Sequence, residues 1–389
     1  MKTIKKLSLI LILANSNYSC HSPKISDPNL STALEINCRF EYDSENIISY
    51  IDHIEFIPLQ TNDESLIGNI KHVYYRNNKY YIHDGQQDKV LIFDSTGKYV
   101  SSIDKKGNGP CEYTNIESIY VDDSETVKIL PQSHPQKIMK YRYNNHNCEE
   151  VDIKSDMTGD KFVPFNNGYL FYQANGAVNP DDRYFLFSTD GNGNVQNKWL
   201  SSHSYIPYEM EREVFKVFND TILFCMPLDN NLYQISSKGD ISVRYVFNFG
   251  KYSMPESVKK TYREGDLQTF RQQSDGYVRE LDIWSETKQA LLLSYTNTNM
   301  GSPFFALYTK NKRELKVFNP DDLIKIAILS PLAAVNDTFL ISCLDISNFR
   351  FDEYPQYKEH IGEHYPDLIP VIDTLPEYAN PVLVKYKFK

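Results

Sequence analysis

Along most of the chain, short apolar runs alternate with turns rich in Asn, Asp and Gly, the pattern of strands joined by tight hairpins. Five segments share one layout of apolar strand, polar turn and second strand. They read KVLIFDSTGKYVSSID from Lys89, KIMKYRYNNHNCEEVDI from Lys137, RYFLFSTDGNGNVQNKWL from Arg183, NLYQISSKGDISVRYVF from Asn231 and FFALYTKNKRELKVF from Phe304. With Val90, Ile138, Tyr184, Leu232 and Phe305 as equivalent points, the first three intervals are nearly equal, at roughly 45–50 residues each. The last interval is half as long again and carries an insertion over 250–276. A second hairpin precedes each of these, as in VYYRNNKYYIHD from Val73, FVPFNNGYLFYQ from Phe162, VFNDTILFCMP from Val217 and AVNDTFLISCLD from Ala334, with ESIYVDDSETVKILP and LDIWSETKQALLLSY completing the set. Asn and Asp suit such turns because they tolerate positive φ. Each unit of roughly 45 residues therefore predicts four antiparallel strands, the content of a propeller blade.

The last unit is short of one strand. It supplies 326–335, 338–344 and Val382–Phe388, and NPVLVKYKFK from Asn380 ends the chain. An unassigned strand, HIEFIPLQT over His53–Thr61, lies upstream of the first unit. Pairing Ile54–Gln60 beside the C-terminal strand completes the sixth blade and covers two sheet edges that would otherwise invite aggregation. The expected fold is thus all-β, a six-bladed β-propeller closed by its own N-terminal strand. This single ring replaces the two or three domains that 389 residues would suggest by length alone.

Composition agrees with strands. Tyr (29) and Phe (21) are abundant, and aromatic rings pack well on half-buried pleated surfaces. The net charge is −10 with no Lys/Arg stripe, which argues against a nucleic-acid partner. At the N-terminus, Lys2, Lys5 and Lys6 precede the apolar stretch Leu7–Ala14, which is too short to span a bilayer. That layout predicts a signal peptide over 1–19. Cys20 after Ser19 then becomes a lipidated first residue, His21–Asn37 a polar tether within a lead-in over 20–50, and 51–389 the propeller. The stretch HSPKIS after Cys20 has no acidic run, which favours the periplasmic side of the outer membrane over the cell surface, with membrane contact through the lipid only. The other five cysteines, Cys38, Cys111, Cys148, Cys225 and Cys343, are odd in number and scattered. No disulfide framework is therefore expected, and Cys225 and Cys343 read as core.

Two segments carry a more specific signature: FIPLQTNDESLIGNIKHVYYRNNKYYIHD, then VLIFDSTGKYVSSIDKKGNGPCEY with a D-x-x-G-K turn and G-x-G-P-x-E-Y. With the final NPVLVKYKFK, they resemble the six-bladed β-propeller lipoproteins of Gram-negative bacteria, which are similar to NHL-type propellers. Asp94, Gly97, Lys98, Gly107, Gly109, Pro110, Glu112 and Tyr113 match that pattern, whereas Cys111 stands where relatives more often have Gly. The departure is expected to matter little. The resemblance implies the fold strongly and an activity hardly at all.

Several motifs invite chemistry. KKGNGPCEY could cradle a phosphate only after a buried parallel strand and at a helix start. Here it follows an outer antiparallel strand and precedes another strand, so it reads as the joint between blades one and two. His360, Glu363 and His364 form H-x-x-E-H, but Pro355, Gly362 and Pro366 leave no long helix to hold zinc. The two NPDD stretches, 179–182 and 319–322, read as turns rather than calcium loops. Two short helical insertions are expected, in the 345–380 excursion and over 254–273. In the second, Val258, Tyr262 and Leu267 would face the propeller and Arg263 and Arg271 could meet an anion.

Loops on a rigid scaffold are where binding residues gather. In a propeller, blade-to-blade links share one face with the turns between the middle strands of each blade, around the central channel. On that face His134, Arg183, Asp229, Asn230 and Asn299 are the candidate ligand contacts. The expected function is non-enzymatic binding of a glycan, peptide or protein. The alternative is a calcium-dependent hydrolase or lactonase with the ion in the channel, fed by inner strands such as ESIYVDD and LDIWSET. No spacing picks out a metal-ligand set, and no catalytic residue is assigned.

Overall fold

The computed structural model describes residues 24–26, 28, 33–144, 147–174, 184–201, 213–218, 221–301, 303–319, 331–335, 339–344, 358–359, 362–363, 365–376 and 378–389. The signal segment, Cys20, Arg183, His360, His364 and the first NPDD stretch lie outside these residues, as do 320–322 of the second.

Three strands precede the repeats: β1 (Lys24–Ser26), β2 (Leu34–Asn37) and β3 (Ile51–Pro58). Blade one is β4 (Ile70–Arg76), β5 (Lys79–Asp84), β6 (Lys89–Asp94) and β7 (Tyr99–Ile103). Blade two is β8 (Ile116–Val121), β9 (Val127–Pro131), β10 (Lys137–Tyr141) and β11 (Cys148–Asp152). Blade three is β12 (Lys161–Phe165), β13 (Gly168–Tyr172), β14 (Tyr184–Thr189) and β15 (Val195–Ser201). Blade four is β16 (Phe215–Phe218), β17 (Thr221–Cys225), β18 (Asn231–Ile235) and β19 (Ile241–Asn248). Blade five is β20 (Val278–Glu286), β21 (Ala290–Asn297), β22 (Phe304–Thr309) and β23 (Glu314–Phe318). Blade six is β24 (Pro331–Val335), β25 (Phe339–Leu344), β26 (Val382–Phe388) and, outermost, β3. Each inner strand touches the next around the ring, and β24 returns to β4.

Position within a blade explains the sequence pattern. Middle strands are covered by sheets on both faces, so β9 and β13 are buried throughout and carry continuous apolar runs. The outer strand β19 alternates buried and half-buried residues along its whole length. Turns follow the chemistry of their residues. Asn77 and Asn78 take φ of 46° and 58° in the first hairpin, the positive values that Asn tolerates. In the D-x-x-G-K turn, Asp94 Oδ1 accepts from Thr96 N at 2.9 Å and Lys98 N at 3.0 Å. Gly97 is required there: its φ is +83°, and a Cβ would lie 2.1 Å from the Pro58 carbonyl oxygen of β3. Only glycine combines that backbone with so close an approach.

Closure runs as expected. β26 pairs antiparallel with β3, from Val382 opposite Pro58 to Phe388 opposite Ile51. Asn380, only 1% exposed, fastens the seam. Its Nδ2 donates to the carbonyls of Gln60 and Ser65, both at 2.8 Å, and its Oδ1 accepts from Ile67 N at 2.9 Å.

Part of the stretch expected to be a polar tether is instead strand. β1 pairs in parallel with β15, and β2 with β19, as fifth strands on blades three and four. The alternation of Leu34 and Ile36, short as it is, lets β2 cover an open edge. The chain continues along the rim of blade five, where the ring of Phe40 packs against Tyr252, Tyr295 and Phe304 with centroids at 4.4, 5.5 and 5.2 Å. The helical insertions are present as α1 (Glu256–Arg263), α2 (Leu267–Gln273) and a further helix, Leu368–Thr374. Val258 and Tyr262 are buried in the core and Leu267 packs on it. Arg263 is paired with Glu256.

A disulfide joins Cys111 to Cys148, which corrects the expectation that no cysteines pair. The scattered count concealed it because β11 folds back beside the link, bringing together residues 37 apart. Cys38, Cys225 and Cys343 lie outside that disulfide and are only half-buried, so Cys225 and Cys343 border the core rather than fill it.

Candidate functional site

The joint over 105–113 has no phosphate-cradle geometry. Gly107 N donates to the Tyr113 carbonyl at 3.1 Å, Tyr113 N to the Lys105 carbonyl at 3.0 Å, and Gly109 N to Glu112 Oε2 at 2.9 Å. A phosphate would find those donors used by the loop's own carbonyls and carboxylate. Tyr113 is fully buried and its hydroxyl donates to the Ile103 carbonyl. Cys111 sits at φ +56°, and its N–H donates to Glu150 Oε1 at 2.7 Å. That backbone region favours Gly. The departure from Gly therefore matters: it places a thiol where β11 can bond it.

The candidate ligand residues scatter. His134 is exposed in the turn between β9 and β10, where its carbonyl accepts from Lys137 N. Asn299 is exposed in the 3-10 turn Thr298–Met300 and its N–H donates to Asn297 Oδ1. The Asn230 carbonyl accepts from Phe247 N, and Asp229 accepts from the Tyr233 hydroxyl at 2.5 Å and Asn231 Nδ2 at 3.0 Å. Asp229 reaches a concave site. It borders a cavity of about 20 Å³, shared with Glu213, Lys216, Cys225 and Asp282. That is room for a single water.

The cavity opens beside a cluster the sequence did not single out. Blades one and four stand opposite in a ring of six, and His72 at the start of β4 meets Glu213, just before β16, across the channel at 3.9 Å. Lys161, first residue of β12, lies 3.9 Å from Glu117 Oε1 at the start of β8. The His72 ring packs on Tyr74 at 4.5 Å, and the Tyr74 hydroxyl donates to the Ile119 carbonyl at 3.0 Å. His83 is paired with His72 across β4 and β5, and its Nε2 is buried without a hydrogen-bond partner.

Burial sets the charge states here. It disfavours the protonated imidazoles, lowering His72 to about 4 and His83 to about 3, so both are neutral at neutral pH. Burial likewise lowers Lys216, against the pull of Glu213 and Asp282. For Glu213 burial acts upward, but His72, Lys161 and Lys216 outweigh it and hold the carboxyl below its usual range. Among the described residues, no three His, Cys, Asp or Glu side chains converge as a metal-ligand set. Lysines stand between the carboxylates, so this donor set does not fit calcium, which takes about 6–8 oxygen ligands. The inner strands beginning ESIYVDD and LDIWSET do supply acids to the channel, Glu117 and Asp282. The signal that could have found the rest is a charged or imidazole side chain recurring in the inner strands β4, β8, β12, β16 and β20.

No helix among the described residues is long and apolar enough to cross a membrane. No protein of curated function matches the chain. A solved structure of a "putative exported protein" from Bacteroides fragilis superposes with a TM-score of 0.76 at 17% identity, covering 92% of this chain and 100% of that one. A DUF4221 family member from Bacteroides vulgatus gives 0.44 at 10% identity, over 68% of this chain and 84% of that one. The likeness to the first lies in the fold. The pattern of one family spans residues 33–387, nearly the whole ring with its strap, and the chain belongs to that family, described as a domain of unknown function, DUF4934.

Proposed function

We propose that this propeller is an exported, non-enzymatic binding protein, tied to the outer membrane by a lipid on Cys20, that holds a glycan or peptide at the mouth of its channel. The observation that carries the reading is the mouth itself. His72, Glu117, Lys161, Glu213, Lys216 and Asp282 bring both charge signs together from five blades, beside an imidazole nitrogen of His83 with no partner. Buried polar atoms are ordinarily satisfied, so an unpaired one facing a channel suits a ligand that hydrogen-bonds there. The described side chains do not gather as a hydrolytic metal site would need. Export accords with the N-terminal signal pattern and with the name of the Bacteroides fragilis protein of like fold.

Two measurements test the reading. Calorimetric titration of the purified protein with a panel of soluble oligosaccharides and peptides should find one binder whose affinity drops at least tenfold in Lys216→Glu. A stoichiometric calcium with turnover of an ester or lactone would overturn the binding role. For the anchor, Cys20→Ser should move the protein from the membrane to the soluble fraction, and unchanged partitioning would remove the lipid from the account.

A further inference from the structure

On the face opposite the channel mouth, blades five and six part to leave a cleft of about 550 Å³. Its walls are the β20–β21 and β22–β23 turns, the start of β25 and the end of β26. The floor is apolar: Leu292, Leu307 and Leu340 are buried beneath it, with Phe339 and Phe388 partly exposed at its side. This is the core between the two blades reaching the surface.

The rim has another character. Several lysines on this face are paired: Lys310 with Glu286, Lys316 with Glu314 at 3.1 Å, and Lys128 with Asp122. Lys288 and Lys312, both exposed at the cleft, have no carboxylate partner among the described residues. The one acidic side chain in the wall, Glu314, is held by Lys316. A cleft of similar size between blades two and three, about 470 Å³, is the internal contrast. Its lining is mostly polar, and its Lys128 and Lys140 face Asp122 and Glu149. Arg142 also lines that cleft, so what sets blades five and six apart is the apolar floor beneath their lysines. Ligand pockets of about 300–1,000 Å³ with a few placed polar groups are of the size that holds small molecules.

We propose that this cleft binds a free single-chain amphiphile with an anionic head, such as a fatty-acid carboxylate. The chain lies on Leu292, Leu307 and Leu340, and the carboxylate meets Lys288 and Lys312. The site is separate from the channel mouth and does not depend on what binds there.

Calorimetry with dodecanoate below its micelle concentration tests this on the purified full chain. One saturable site is expected, with dodecyltrimethylammonium, the same chain under a cationic head, at least tenfold weaker. Lys288→Glu combined with Lys312→Glu should weaken dodecanoate at least tenfold, and Ala290→Trp, which fills the cleft from β21, should abolish binding. If Ala290→Trp does not fold, the lysine pair on exposed turns carries the test. No saturable binding, equal affinity for the cationic amphiphile, or indifference to the lysine pair would each overturn the proposal. Co-sedimentation of Cys20→Ser protein with phosphatidylglycerol vesicles, lost in the lysine pair variant, would assign the surface to a bilayer instead and equally overturn it.

Discussion

The ring has two seams that hold by different means. At the closing seam β26 meets β3 through a full antiparallel ladder, and the buried amide of Asn380 ties the incoming strand to the link over 60–67. At the joint of blades one and two the chain is already continuous, and a disulfide pins the link to the outer strand of blade two, beside an exposed Glu150–Lys137 pair. The first seam decides which strands are neighbours. The second fixes the shape of a loop whose neighbours are settled. A seam between chain ends needs specificity, and a seam within continuous chain needs only restraint.

Breaking the closing seam should cost most. Asn380→Ala leaves Ile67 N and the Ser65 carbonyl without a partner inside the protein, while the Gln60 carbonyl keeps the Ser65 hydroxyl; at about 1–3 kcal/mol for each unsatisfied group, a loss of about 4 kcal/mol is expected in urea unfolding. A loss below about 1 kcal/mol would mean that the ladder alone closes the ring. Cys148→Ser should cost about 3 kcal/mol, the usual range for freeing a loop of this length. Reductant should bring the native protein down to the variant and leave the variant unchanged.

Acid offers a third test, because above about pH 5 it acts on the channel histidines and not on the carboxylates of either seam. The unfolded pKa of histidine is about 6.5, and His72 in the folded protein is lowered to about 4. Between those values the unfolded chain takes up a proton that the folded one refuses. Stability should therefore fall as pH drops from about 6.5 to about 4, by about 3 kcal/mol from His72, and less steeply in His72→Asn. Both seam variants should lose the same increment, and a changed slope in either would show that seam and channel are coupled. The smallest effect concerns backbone strain at Cys111, where φ is positive. In the Cys148→Ser background, Gly in place of Cys111 should be more stable than Ser there by about 1 kcal/mol.

The closing seam was legible in the sequence because a missing strand leaves a countable gap: three strands after 326, one spare at His53–Thr61. The turns at Asn77–Asn78 and Asp94–Lys98 were legible because their residue types prescribe their backbone. The disulfide was not, since Cys111 and Cys148 belong to different local patterns and meet only once blade two has folded back on the link. The channel cluster was hidden for a related reason. His72 and Glu213 come from opposite blades, and periodicity reports which face of its own sheet a residue occupies, not what stands across a ring. Asp229 was chosen for its loop, yet the concave site it borders also takes residues of β16, β17 and β20, which its local pattern does not report.

The strand that seals blade six has a consequence in time. β3 is synthesised among the first residues and its partner β26 among the last, more than three hundred positions later. Until that pairing forms, β3 has no hydrogen-bonded neighbour and β26 lacks one of its two. Pairings so distant in sequence form slowly, since the entropy of closing the loop comes before any contact repays it. The ring is therefore expected to close only after β26 has emerged, with the edge of β3 open through all the steps before.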